Sequence, residues 1–234
     1  MTLDEKKDSR HSRPIFERAG AWLFRQRSSL PVPLALALLF IPSAELSSLA
    51  AVWLGGGFVV CGEALRLWAV RHIGVISRTR GDRLGPLIET GPFALIRNPL
   101  YIGNLALWVG FTLSARLVWL VPVVIIILGL EYHAIVRWEE SLLESRRGDQ
   151  YRAYASRVPR WIPRVGSPPS RQAPQHDLAD APLPPSERAE AGRQSSVVSQ
   201  APDRFTWRET LFSERGTLTA IAAGYLLLWM KTRF

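Results

Sequence analysis

Residues 117–136 read LVWLVPVVIIILGLEYHAIV, a run of twenty positions nearly free of charge. The hydrocarbon core of a bilayer takes about 20 predominantly apolar residues as a helix, so this run is long enough to cross on its own. The run Leu49–Val70 qualifies in the same way. Leu30–Ile41 and Leu100–Leu113 are shorter and must recruit flanking residues or stand with little tilt. The pattern predicts an all-α, polytopic transmembrane bundle built as two hairpins, 30–70 and 100–136. Short outer turns are expected near Pro42–Ser48 and Ser114–Arg116.

Charge supports this layout. Of 234 residues 47% are hydrophobic and 21% charged, and the net charge is +9. Lys6, Lys7, Arg10, Arg13, Arg18, Arg25 and Arg27 precede the first apolar run, which argues against a cleavable leader and reads as a basic cytoplasmic segment, 1–28. Arg71, Arg78, Arg80, Arg83 and Arg97 follow the second run, and Arg137, Arg146, Arg147, Arg152, Arg157, Arg160 and Arg164 follow the fourth. With two hairpins every basic segment falls on one side, as the positive-inside rule requires. The charge therefore calls for anionic headgroups rather than nucleic acid, for which no reader motif is present.

Cys61 is the only cysteine and sits inside an apolar run, so a disulfide framework is excluded. His11, His72, His133 and His176 have no metal-site spacing, and no metal is expected. From Gly166 to Asp203 the composition is Pro, Ser, Gln and Ala with charge, which reads as a disordered linker, 166–203. Beyond it, 204–234 holds an amphipathic stretch, Phe205–Arg215, and an apolar run, Gly216–Met230. That run is either a fifth span or an interfacial helix anchored by Trp229.

Several polar residues stand out. Glu63 and Arg66 interrupt the second run three residues apart, on one helix face. They are either a snorkelling pair or the lining of a polar cavity. Gly55, Gly56, Gly57 and Gly62 would let helices approach closely. Gly91-Pro92 makes a turn, and Asn98-Pro99 is a helix start with Asn98 as cap and Pro99 at the first helical position. Free backbone N–H groups beside Arg97 would suit a carboxylate or phosphate. The other end of the same hairpin exits into Glu139-Glu140. Adjacent helical residues point about 100° apart, so one of the two glutamates would meet a ligand while the other orients a neighbour such as Arg97 or Arg137.

Gly91-Pro92-Phe93, Arg97-Asn98-Pro99-Leu100-Tyr101-Ile102-Gly103, Glu139-Glu140 and Gly148-Asp149-Gln150-Tyr151-Arg152-Ala153-Tyr154, leading to Val158-Pro159-Arg160-Trp161-Ile162-Pro163, resemble a known family. It is that of the membrane-embedded S-adenosylmethionine-dependent methyltransferases, which includes isoprenylcysteine carboxyl methyltransferase and the phospholipid N-methyltransferases. The resemblance implies a membrane methyltransferase core, 29–165, acting on a lipid or lipidated acceptor. It implies a cytoplasmic-side pocket for S-adenosylmethionine made by Gly91, Pro92, Arg97, Asn98, Pro99, Tyr101, Gly103, Glu139 and Glu140, with Arg97, Tyr101 and Glu140 nearest the chemistry. Tyr101 would lie against the sulfonium and Arg97 would pair with the cofactor carboxylate.

Many family members carry His at position 98. Asn98 keeps a donor and an acceptor but does not titrate near neutral pH. Membrane sterol and enone reductases, which use NADPH, resemble the Arg-x-Pro-x-Tyr-x-Gly region too, but the Glu139-Glu140 pair favours the methyltransferase. A non-enzymatic membrane adaptor has only the linker in its favour. All basic residues except Lys6, Lys7 and Lys231 are arginine and alanine is abundant, which points to a GC-rich bacterial genome; with the basic leader inside, the expected location is a bacterial cytoplasmic membrane with the N-terminus cytoplasmic.

Overall fold

The computed structural model describes residues 15–27, 29–43, 49–74, 87–163 and 204–233. The first fourteen residues of the basic leader, Arg78, Arg80 and Arg83, positions 44–48 of the expected outer turn and the expected linker 166–203 lie outside them. Among the described residues the chain is all-helical: α1 Ile15–Gln26, α2 Pro31–Phe40, α3 Leu49–Ile73, α4 Pro99–Ser114, α5 Val121–Arg147, α6 Asp149–Arg157 and α7 Trp207–Lys231. Among the described residues two stretches are long and apolar enough to cross a membrane, Leu49–Ile73 and Val118–Arg147. The shorter runs yield a 10-residue α2 and a 16-residue α4, so four or five crossings do not follow from helix length alone.

Helices α3 and α4 form the central pair, and glycine sets their distance. A Cβ on Gly55 would come within 2.6 Å of the Gly110 carbonyl oxygen, and one on Gly62 within 2.8 Å of that of Gly103. The two contacts recur seven residues apart on each helix, the spacing that keeps one seam facing a partner. Gly57, by contrast, has no atom of the described residues within 4 Å of its absent Cβ. The expected close approach thus runs through Gly55 and Gly62, while Gly57 faces away.

The turn after α4 is Ser114–Arg116, as short as the hairpin reading requires. It leads through a 3₁₀ turn, Val118–Leu120, into α5. Leu38, Leu117, Leu120, Val124, Leu128, Tyr132 and Ile135 are buried together as the main core. Helix α1 lies on the far half of α5. Gly20 sits so close that a Cβ there would overlap the Ala134 carbonyl oxygen. Beside this contact Phe24 packs on Trp138 with ring centroids 4.9 Å apart.

The segment 205–230 divides in sequence into an amphipathic and an apolar part, but it folds as one helix. Thr206 and Glu209 close a capping box at its start: the Thr206 side chain accepts from the Glu209 backbone N–H, and the Glu209 carboxylate accepts from that of Thr206. Helix α7 then runs beside α3 and α4. At one end the Phe205 N–H donates to the Arg71 carbonyl at 3.0 Å, and the Arg71 guanidinium lies 4.4 Å from the Trp207 ring centroid. Further along, Gly224 faces the Phe111 ring and the Ser114 and Tyr225 hydroxyls meet at 3.2 Å. At the other end Lys231 Nζ donates to the Leu38 and Ile41 carbonyls at 2.7 and 2.6 Å, satisfying the last turn of α2.

Candidate functional site

The site grows from the loop between α3 and α4. Gly91 has φ +62, which a residue with a Cβ adopts only under strain, and a Cβ there would stand 2.5 Å from the His72 ring. His72 Nδ1 is 2.9 Å from the Trp68 carbonyl, so that nitrogen carries the proton and the Nε2 edge rests on Gly91. The 3₁₀ turn Gly91–Ala94 is pinned from the other side, where the Tyr154 hydroxyl donates to the Phe93 carbonyl at 2.8 Å. Pro92 and Pro99 are fully buried.

Asn98 precedes α4, yet its side chain makes no capping hydrogen bond. It donates instead from Nδ2 to the Arg160 carbonyl at 3.2 Å, while the Arg97 N–H donates to the Pro159 carbonyl at 2.9 Å. The expected cap is thus a clamp that holds the chain after α6 against the start of α4. Gly148, at φ +49, makes the bend that turns α5 into α6 and brings that chain back.

This return places Arg160 beside Glu140. Arg160 Nε donates to both Glu140 oxygens at 2.9 and 3.1 Å, and one terminal nitrogen reaches Oε2 at 2.6 Å. On its other side Glu140 meets Arg97 at 3.0 Å. Arg97 also donates to the Tyr151 hydroxyl at 3.2 Å. Its Nε is buried without a hydrogen-bond partner among the described residues. A buried guanidinium N–H left unpaired is costly, and an oxyanion is the acceptor that would satisfy it.

Around these groups lies a polar cavity of about 410 Å³ lined by Arg97, Arg137, Glu140, Glu144, Tyr151 and Arg160 among others. Its lining carries both signs of charge, which fits a zwitterionic ligand of small-molecule size. Hydrogen bonding to Glu140 raises the Arg160 guanidinium further above its ordinary value. Burial, with the Glu140 carboxylate adding to it against the pull of Arg97, pushes the Tyr151 hydroxyl up from 10 to about 12. Its proton is therefore held across neutral pH, free to be donated into the cavity.

The sign of this shift sets a prediction. A raised pKa contributes stability that is complete below the unfolded value near 10 and is lost as pH rises through about 12. Spectrophotometric titration should therefore show one tyrosinate appearing near 12 that Tyr151→Phe removes. Titration of every tyrosine near 10 in the folded protein would contradict the packing around Tyr151.

The residues expected to form one pocket divide between two faces of α5. Arg97 and Glu140 line the cavity; Asn98 borders it through its bond to the Arg160 carbonyl, and Gly91, Pro92 and Pro99 lie outside its lining. Tyr101 and Glu139 interact with each other. They lie away from the cavity lining, where the Tyr101 ring packs on Tyr132 at 5.2 Å. Arg27, held above the Phe24 ring at 4.0 Å, adds its charge on that face. Gly103 serves the α3–α4 seam, its absent Cβ lying 2.6 Å from Arg66 Cγ. Arg160 and Tyr151, which complete the cavity, belong to the downstream motif quoted above but received no role from it. Their order in the chain was visible, whereas the return through Gly148 was not.

The phospholipid methyltransferase family model matches residues 50–150. The nickel-cobalt-cadmium resistance protein NccN of Alcaligenes xylosoxydans xylosoxydans is 32% identical over 100 residues, 43% of this chain and 44% of that protein. The cobalt-zinc-cadmium resistance protein CzcN of Cupriavidus metallidurans is 30% identical over 100 residues, 43% of each. The chain thus spans less than half the length of the curated relatives it matches. No solved structure matches. From the first turn of α3 to the first residues of α6, the chain is a match to the phospholipid methyltransferase family, which bears out the resemblance read from Arg97–Gly103 and Glu139-Glu140.

Proposed function

We propose that the chain transfers a methyl group from S-adenosylmethionine to a lipid or lipidated acceptor at the cytoplasmic face of a bacterial membrane. The observation that carries this reading is the Arg97–Glu140–Arg160 cavity, a two-signed site with a buried N–H unpaired among the described residues; Arg97 and Glu140 lie in the segment that matches a methyltransferase family, and Arg160 follows it. The donor set fits the amino-acid end of the cofactor. Arg97 and Arg160 suit its carboxylate, Glu140 and Glu144 its ammonium, and the Tyr151 hydroxyl has a proton to give. When bound, S-adenosylmethionine supplies an electrophilic methyl group on a sulfonium.

The protein's part is positioning. The Gly91 turn and the Asn98–Arg160 clamp hold the cavity wall, and α6 roofs it. In-line methyl transfer needs orientation and partial desolvation rather than a metal, and effective molarities from orientation alone supply about 7–11 kcal/mol. The four or five crossings, with the hairpins 30–70 and 100–136 and α7 as the further span, belong to this proposal. So do the boundaries of the leader 1–28, the core 29–165 and the linker 166–203.

Calorimetry in neutral detergent tests the reading. S-adenosylmethionine should bind the wild-type chain with micromolar affinity, and NADPH should not. Incubation with methyl-labelled cofactor and total membrane lipid should then transfer label to one lipid species. Binding of NADPH in place of S-adenosylmethionine would move the chain to the reductase reading, and binding of neither would leave only the adaptor. The relatives' names suggest a part in metal resistance, but no group of three His, Cys, Asp or Glu is placed to hold a metal among the described residues.

A further inference from the structure

Helix α6 is one wall of the cavity, and it is set apart from the bundle behind it. Tyr151, Arg152, Ala155 and Ser156 line the cavity from α6, and Glu140 and Glu144 line it from α5. Tyr151, Tyr154 and Val158 are buried with Leu87, Leu143 and Ala155 in a small core separate from the main one. An element with a small core of its own opens at lower free energy than one set in the main core.

The two ends of α6 suit rotation as a unit. At its start Gly148 has φ +49 and ψ −122, a backbone region open to glycine alone. No atom of the described residues lies within 4 Å of its absent Cβ, so nothing among them blocks a turn there. At the far end the chain is anchored: the Pro159 and Arg160 carbonyls accept from the Arg97 N–H and Asn98 Nδ2 at 2.9 and 3.2 Å. Between these ends the Tyr154 hydroxyl donates to the Phe93 carbonyl at 2.8 Å, and Arg157 meets Glu89 at 2.9 Å. Across the bend Arg152 meets Glu144 at 3.4 Å, with both side chains more than half exposed, a weak tie.

The charges of the cavity are committed to one another, Glu140 to Arg97 and Arg160, and Glu144 to Arg152. A zwitterionic ligand must part them. The Glu144–Arg152 pair joins α5 to α6, so parting it and moving α6 are one event. We infer that α6 is a cover on the cavity, which rolls between Gly148 and Pro159 to admit the ligand and is latched shut by the Tyr154 hydroxyl on the Phe93 carbonyl. This rests on the proposed function only for the identity of the ligand.

Hydrogen exchange resolved to single amides, on the full chain in neutral detergent without ligand, tests the motion. The amides of residues 152–158 should share one opening equilibrium, more frequent than that of residues 128–136 in α5. Tyr154→Phe should speed exchange across 152–158 by about five- to tenfold, the size of one lost hydrogen bond, and leave 128–136 unchanged. Protection that rises steadily from one end of α6 to the other is fraying and overturns the inference, as does an equal effect of Tyr154→Phe on α5. Should Tyr154→Phe fail to fold, the wild-type pattern alone decides. S-adenosylmethionine at about ten times its Kd, with binding verified by calorimetry, should slow the same amides about tenfold; bound cofactor that leaves them unchanged overturns the cover. Absence of binding overturns the proposed function instead, and the exchange pattern without ligand still decides the inference.

Discussion

Gly103→Val is expected to prevent α3 and α4 from packing, with loss of monodisperse folded protein in detergent. The branched side chain would start 2.6 Å from Arg66 Cγ and 2.8 Å from the Gly62 carbonyl oxygen. The side-chain atom can move, but the carbonyl belongs to a helix backbone and cannot. Overpacking in cores costs about 1–3 kcal/mol where side chains absorb it. Here the whole helix must withdraw, which also opens the Gly55–Gly110 contact along the same seam. Set against a total stability of about 5–15 kcal/mol, that is enough to unfold the bundle. Gly57→Ala is the control: with nothing within 4 Å of the added Cβ, it should leave the melting temperature unchanged or raise it through better helix propensity, worth about 1 kcal/mol. Equal melting of Gly103→Val and Gly57→Ala would refute the seam.

Glu140→Ala should have the second largest effect. It strands two guanidiniums at once, since Glu140 is the shared acceptor of Arg97 and Arg160. Removing one partner of a fully buried pair costs about 3–5 kcal/mol. The side chains of Glu140 and Arg97 are 12% and 14% exposed and that of Arg160 is 26% exposed, so the lower part of that range applies. Under the proposed function, affinity for S-adenosylmethionine should fall by about a hundredfold, because the variant removes a charged acceptor for the cofactor's ammonium and the anchor that orients Arg97 and Arg160 toward its carboxylate. Glu139→Gln is the informative contrast. Glu139 lies with Tyr101 on the other face of α5, so its loss should change stability while leaving cofactor affinity within about threefold, the range of an indirect effect. Calorimetry and melting on the two variants separate these outcomes. If Glu139→Gln were the variant that lost affinity, the pocket would lie on the Tyr101 face.

How much of this could be read in advance differs from residue to residue. The run 117–136 announced α5 because a bilayer-length apolar segment has few other folds open to it. The 100° step between neighbouring helical positions separated Glu139 from Glu140 before any coordinates. It could not say which glutamate met Arg97. That depended on the rotation of α5 against α4, which side-chain packing around Tyr132, Ile135 and Trp138 determines. Asn98-Pro99 marked the start of α4 correctly, since Pro at the first helical position restricts the backbone locally. The partner of the Asn98 side chain was not legible, because Arg160 lies 62 residues away and arrives through the bend at Gly148. Glu63 and Arg66 were visible as a pair. Their other partners, Asn104, Glu214 and Thr217, came from helices whose placement no local pattern encodes. Helix α7 was divided in sequence because its hydropathy changes at Gly216, whereas continuous backbone hydrogen bonding carries the helix past a glycine that faces open space.

The bond from Lys231 to the Ile41 carbonyl links positions 190 residues apart. At about 5–20 residues per second of synthesis, α2 waits roughly 10–40 s for the amine that completes its last turn. Through that interval its terminal carbonyls must accept from water or another transient donor. The bundle is thus closed in time as well as in space: the helix synthesised second becomes fully satisfied only when the far end of α7 docks beside it.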